Sequence, residues 1–254
     1  MNGVCSITPA DREIRATVAV RSQTTCGLSL SDDWVGGRPE SPTRDADPVR
    51  YGRLGRYLGI AATIPGWTRG DEAVEVARVA CGLPKGAVVV ELGAFLGCST
   101  VLLAGARRVA GSGCVFSIDP FDASGDPFSA PVYHTILAQL PGTLRGAYEE
   151  NIARAGLTDF VVTQVGRAEE VVNHWTLPID MLFMDGDHTR ESARAVYDAW
   201  SPFLKIGGVL AVHSTTSTEE HHDGFHILAR EMVIAPRWSQ KRLVRTTTFA
   251  RKAS

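Results

Sequence analysis

Residues 88–100 read Val-Val-Val-Glu-Leu-Gly-Ala-Phe-Leu-Gly-Cys-Ser-Thr, and this stretch restricts the fold more than any other. Three consecutive β-branched residues without polar alternation suit a strand buried on both faces of a parallel sheet. Glu91 falls where that strand ends. Gly93 and Gly97 allow backbone angles that other residues avoid and let a ligand approach, while Ser99 and Thr100 open an apolar helical pattern through Val101, Leu102 and Leu103. The turn is of a nucleotide-binding type. It lacks G-x-G-x-x-G and it lacks Gly-Lys-Ser/Thr, so neither a pyrophosphate nor a triphosphate is its natural ligand. An acid at the strand end suits a cationic or hydroxyl-bearing ligand instead.

The rest of the chain repeats the pattern. Cys114 to Asp119 is a second strand ending in an acid, Phe160 to Val165 a third, Met181 to Met184 a fourth ending in Asp-Gly-Asp-His, and Val209 to Val212 a fifth after Gly207-Gly208. Helices are expected from near Asp71, from near Cys98, around Tyr148 to Ala155, over Ala168 to Val172, over Glu191 to Trp200 and over Phe225 to Met232. A last strand is expected from Leu243 to Ala250. Alternation of this kind predicts an α/β fold with a doubly wound, mainly parallel Rossmann-like sheet. Ligands of such sheets lie at the carboxyl ends of the strands, so Glu91 and Asp119 are expected to face one crevice, with Asp119 able to accept hydrogen bonds from both ribose hydroxyls. Residues 1–50 read as a small strand-bearing extension, alternating around Ile14 to Val20 and then tethered by a loop from Ser29 to Pro48, and 51–254 as the main domain. The extension could cover a sheet edge, cap the site or pair with a second copy in a homo-oligomer.

A chain of 254 residues with formal charge −2 gives no reason to expect nucleic acid as a partner. Five cysteines without C-x-x-C spacing, no signal-peptide pattern and no long apolar run predict a cytoplasmic location away from membranes.

Taken together, ELGAFLGCST, the strand-end Asp119, IDMLFMDGDH and SPFLKIGGVLAVH resemble the class I S-adenosylmethionine-dependent methyltransferases. The DGDH stretch, followed by a helix, a Pro, a Gly-Gly turn and a strand ending in His, resembles more narrowly the sugar-methylating subfamily of macrocin O-methyltransferase-like and mycobacterial polysaccharide methyltransferases. The resemblance covers about Ile64 to Lys252. It implies that Glu91, Gly93, Ala94, Gly97 and Ser99 line the methionine half of S-adenosylmethionine, that Asp119 holds the ribose, that Phe121 and Arg167-Ala168 flank the adenine, that Asp185 borders the cofactor, and that Gly66-Trp67 lies near the methionine carboxylate. A sulfonium is a permanent cation, which agrees with a carboxylate nearby.

In metal-assisted relatives an Asp after the fourth strand joins acidic or amide residues after the fifth to hold magnesium. Asp185 fits the first role, with Asp187 as a second candidate, but His213-Ser214 stands where an acid is usual, and magnesium prefers hard oxygen ligands. Catalysis is therefore expected from Asp185, His188 and His213, the histidines acting as bases, with His134 an outside candidate. The loop TEEHHDGFH places His222 four residues before His226 and reads as a substrate-facing acidic loop rather than a metal cluster, with Asp223 as a helix cap; His174 is expected to be structural.

The resulting expectation is methyl transfer to a hydroxyl of a sugar or glycosylated natural product. N-methylation of an amino sugar remains an alternative because of acidic residues around the mouth, among them Asp122, Asp126 and Glu220. A NAD-type oxidoreductase and a non-catalytic cofactor-binding protein are the alternatives from other classes.

Overall fold

The computed structural model describes residues 52–254; the expected extension over 1–50 lies outside them. After α1 (Gly55–Ala62) and α2 (Gly70–Cys81), strands β1 (Val88–Leu92), β2 (Cys114–Asp119), β3 (Val161–Val165), β4 (Ile179–Met184) and β5 (Leu204–Val212) alternate with helices α3 (Cys98–Val109), α4 (Ala130–Leu137), α5 (Leu144–Arg154), α6 (Ala168–Val171) and α7 (Arg190–Trp200). Helix α8 (Gly224–Glu231) then precedes β6 (Trp238–Val244) and β7 (Thr247–Lys252). The sheet runs β3-β2-β1-β4-β5-β7-β6. Its first five strands are parallel, β7 runs antiparallel to β5, and β6 runs antiparallel to β7. This is the expected doubly wound α/β sheet. Two strands replace the single expected one at the end of the chain, because Arg245, at φ 51°, turns the chain back between β6 and β7.

The valine run of β1 shows why the sheet is covered on both sides. Val89 packs into the core beneath α2 and α3, while Val90 and Leu92 pack into a second core with Tyr197, Trp200 and Phe225. Arg107 of α3 is wholly buried, yet each of its guanidinium nitrogens donates to backbone carbonyls, those of Ala80, Leu83 and Pro84 among them. The charge thereby meets the Ala80 carbonyl in the last turn of α2 and the carbonyls of Leu83 and Pro84 just beyond the helix.

The chain moves outward from β1 to β2 and β3, then returns to place β4 on the other side of β1. A crevice opens at the carboxyl ends of β1 and β4, where the order reverses. Gly93 makes the closure possible. It sits at φ 90°, and a Cβ there would lie 2.1 Å from the carbonyl oxygen of Asp185. Backbone bonds from Gly93 to Ile118 (2.9 Å), Asp185 to Leu92 (2.8 Å) and His213 to Met184 (3.0 Å) tie the four strand ends together.

Candidate active site

Two hollows meet at the crevice and share Gly93, Phe95, Tyr133 and Asp185. The larger, about 270 Å³, runs over the ends of β1 and β2 and is bordered by Asp119, Ser124, Gly125, Arg167 and Ala168. The smaller, about 140 Å³, has walls from Trp67, Phe128 and Tyr133 and polar groups from His188, His213 and His222. Trp67, Phe95 and Tyr133 pack on one another with centroids 5.0–5.6 Å apart. Five non-glycine residues with positive φ lie in the surrounding loops: Phe95, Phe121, Ala123, Ser214 and His221. Such conformations cost energy and persist where the surroundings enforce them.

Asp119 borders the larger hollow, and its carboxylate accepts backbone N–H bonds from Ala94 (2.8 Å), Phe95 (2.9 Å) and Phe121 (2.6 Å). Burial nevertheless leaves its pKa raised, since these three bonds oppose desolvation without cancelling it. The acid thus fixes the turn after β1 as well as facing the hollow. Arg167 reaches Asp122 and Ser124 across the rim at 3.4 and 3.1 Å.

Trp67, Ala94 and Ser99 line the smaller hollow, but Glu91, Gly97 and Phe121 line neither. Glu91 corrects the expectation of a carboxylate facing the methionine end. It is two residues from Val89 and so shares its face of the strand, under α3, where Ser99, Thr100 and Ser117 donate their hydroxyls to it at 2.6, 2.5 and 2.7 Å. Full burial pushes its pKa up to about 7, against those hydroxyls. Gly97, at φ 89°, caps α3 against Tyr148. Phe121 packs its ring on Tyr148 at 4.9 Å, away from the hollow.

The histidines divide by their neighbours. His213, at the end of β5, lies with Nδ1 2.8 Å from Asp185 Oδ1 and Nε2 3.3 Å from Glu72 Oε1. Burial lowers its pKa, but the two carboxylates outweigh that and raise it to about 9. With that pKa it is an imidazolium at neutral pH, with a carboxylate facing each nitrogen, so the expected base has no lone pair to offer. Glu72, from the first turn of α2, also accepts from Thr246 and Thr247. His188 lies between Asp126 Oδ2 (3.3 Å) and Asp185 Oδ1 (3.7 Å). Both contacts are too long or too poorly aligned for hydrogen bonds, leaving both ring nitrogens without a bonded partner. Burial again opposes the charge, and the two acids again prevail, raising the pKa of His188. Asp185 moves down in turn, burial being outweighed by His213 and His188.

Magnesium does not fit these residues. Asp187 spends Oδ1 on the backbone N–H and hydroxyl of Thr189 (2.8 and 2.6 Å), bracing the turn into α7. Asp185 is paired with His213, and the Ser214 hydroxyl lies 3.0 Å from the same ring. Asp185, His188 and His213 do converge, as do Asp126, His188 and His222, but these nitrogen-rich groups lack the oxygen donors that magnesium requires. His134 is exposed on α4 and lines neither hollow. His226 bonds the Thr215 carbonyl at 2.8 Å and takes no part with His222. Asp223 precedes α8 but pairs with Arg190 rather than capping the helix.

Residues 90–215 match a family model described as a methyltransferase domain. The matched stretch runs from within β1 to just past β5. Among solved structures, an O-methyltransferase from Bacillus cereus in complex with SAH matches at 16% identity and TM-score 0.53, over 80% of this chain and 90% of that one. A cofactor-bound protein from MTB matches at 20% identity and TM-score 0.52, over 85% and 99%. An rRNA methylase from Streptococcus thermophilus matches at 13% identity and TM-score 0.51, over 74% and 100%. Proteins so different on one fold show that the substrate of this chain must be argued from its own site. Among the described residues no helix is long and apolar enough to cross a membrane.

Proposed function

We propose that this protein is a methyltransferase that transfers a methyl group from S-adenosylmethionine to a hydroxyl of a sugar or glycosylated natural product. The observation that carries the reading is the pair of joined hollows, one over the β1 and β2 ends, the other combining aromatic faces with polar side chains. Aromatic rings can cover the C–H faces of a sugar while charged groups address its hydroxyls. An ammonium acceptor suits the smaller hollow less well, because Asp126 and Asp185 already face His188 and His213.

The larger hollow fits the cofactor. Gly93, Asp119 and Arg167 border it. When bound, S-adenosylmethionine supplies an electrophilic methyl on a sulfonium. The residues of the chain hold the acceptor in line: Trp67, Phe128 and Tyr133 enclose it, and Asp185, shared by both hollows, stands at their junction. Positioning of this kind can contribute up to roughly 7 to 11 kcal/mol.

Calorimetry with S-adenosylhomocysteine tests the cofactor half. Asp119→Ala should weaken binding by on the order of 1.5 to 3 kcal/mol, the range for hydrogen bonds to a charged acceptor. Unchanged affinity in a folded variant contradicts the placement. The acceptor half is tested by incubating wild type and isotopically methyl-labelled cofactor with glycosides and their amino-sugar counterparts. Label found on nitrogen alone, or on neither, refutes the hydroxyl reading.

A further inference from the structure

His222 is the remaining histidine of the smaller hollow, and its surroundings differ from those of the other two. It comes from the loop after β5, follows His221 at φ 63°, and packs its ring against His188 at 4.1 Å with only 12° between the planes. Phe128, from the loop between β2 and α4, covers it at 4.8 Å. Its Nδ1 lies 2.8 Å from the Ser217 hydroxyl, and no described residue hydrogen-bonds Nε2. We infer that His222, not His188 or His213, accepts the proton of the acceptor hydroxyl. The inference rests on the hydroxyl-methylation reading above.

The physical reason is the asymmetry among the three rings. His213 and His188 each lie between two carboxylates. His222 instead stacks on His188, whose own pKa Asp126 and Asp185 raise against its burial. Burial and His188 both lower the pKa of His222, Asp126, within 4.8 Å, and Asp185 oppose this without reversing it, and His213 lowers it further. A neutral imidazole therefore lines the hollow at neutral pH. With Nδ1–H donated to Ser217, Nε2 keeps its lone pair. As the acceptor oxygen forms its bond to the methyl carbon, the carbon–sulfur bond breaks and its electron pair stays on sulfur as the thioether. The hydroxyl proton passes to Nε2, which becomes an imidazolium. No metal, oxidant or further reactant is needed.

The test has two arms. Histidine-ring NMR on the full chain should show His222 neutral at pH 7 while His213 is protonated, and His188→Gln should raise the titration midpoint of His222. In the second arm, turnover on a hydroxyl acceptor used by wild type should fall by roughly two to four orders of magnitude in His222→Gln. S-adenosylhomocysteine affinity should stay unchanged, the acidic limb of the pH–rate profile should disappear, and added imidazole should partly restore His222→Gly. A packing role alone would give neither the lost limb nor the rescue. A protonated His222 at pH 7, or a His222→Gln enzyme with near wild-type turnover and an unchanged pH profile, overturns the inference. If wild type methylates only amines, the hydroxyl reading fails instead, and the NMR arm still decides the state of the ring.

Discussion

The His213 clamp makes stability depend on pH in a direction that can be worked out. Its pKa rises from an ordinary 6.5 to about 9 in the folded protein, a difference equivalent to about 3 kcal/mol. A raised histidine pKa means that the folded state holds the proton more tightly. The contribution is therefore complete below about pH 6.5, declines as pH rises, and is gone above about pH 9. Replacing the ring with glutamine removes this dependence and leaves Asp185 and Glu72 facing each other, both largely buried, without a cation. Loss of one partner from a buried charged group costs roughly 3 to 5 kcal/mol. Urea unfolding of wild type and His213→Gln, followed by tryptophan fluorescence from pH 6 to pH 10, reads both effects. The wild-type advantage should be largest at pH 6 and shrink by about 3 kcal/mol toward pH 10. Other titrating groups are common to both proteins and largely cancel in the difference. An advantage that stays constant or grows with pH refutes the double ion pair.

Two further substitutions test the strand-end turn. Glu91 is raised to about 7, so its burial costs stability as pH rises from its ordinary 4.5 through 7; Glu91→Gln should be at least as stable as wild type at pH 8 in thermal scans. Because the carboxylate lines neither hollow, calorimetry should find its S-adenosylhomocysteine binding within about 0.5 kcal/mol of wild type. Gly93→Ala meets the Asp185 carbonyl at 2.1 Å with φ at 90°, and should lose roughly 3 kcal/mol or more together with cofactor binding. Gly186→Ala, whose added Cβ would come no closer than 3.9 Å to Leu92 O, is the matched control.

The fold was legible because strand-end chemistry is local. The valines of β1, the acid ending β2 and the Asp-Gly-Asp-His after β4 each identify a strand and the edge on which its loop opens. What one strand does with its faces was less visible. Glu91 was expected at the ligand because it ends an apolar run, yet its parity with Val89 directs it under α3, and Ser99 and Thr100 were the signal that hydroxyls await it. Long-range partners could not be read at all. Glu72 sits in the first turn of α2, where an acid is ordinary, and only the meeting of α2, β5 and the β6–β7 turn brings it to His213 and Thr246. Asp126 read as one of several acids around the mouth, whereas the fold buries it against His188. The turn between β6 and β7 contains neither Gly nor Pro, so nothing local divided the last strand.

Charge balance links these residues to the reaction. Glu72, Asp126 and Asp185 gather around His188 and His213 beneath the smaller hollow, and these carboxylates raise the pKa of both rings, that of His213 to about 9. Three carboxylates against two histidines leave this floor net negative, opposite in sign to a sulfonium. In the proposed reaction, methyl transfer removes the sulfonium charge while His222 gains a proton, so the floor gains a positive charge as the sulfur loses one. No uncompensated charge is created in a site where burial makes one costly. Ser214 fits this balance. An acid at that position would be a further carboxylate beside an imidazolium already shared by two, and would leave the floor with an excess negative charge after transfer. Serine after His213, which looks like a defect if magnesium is assumed, adds no charge to this floor.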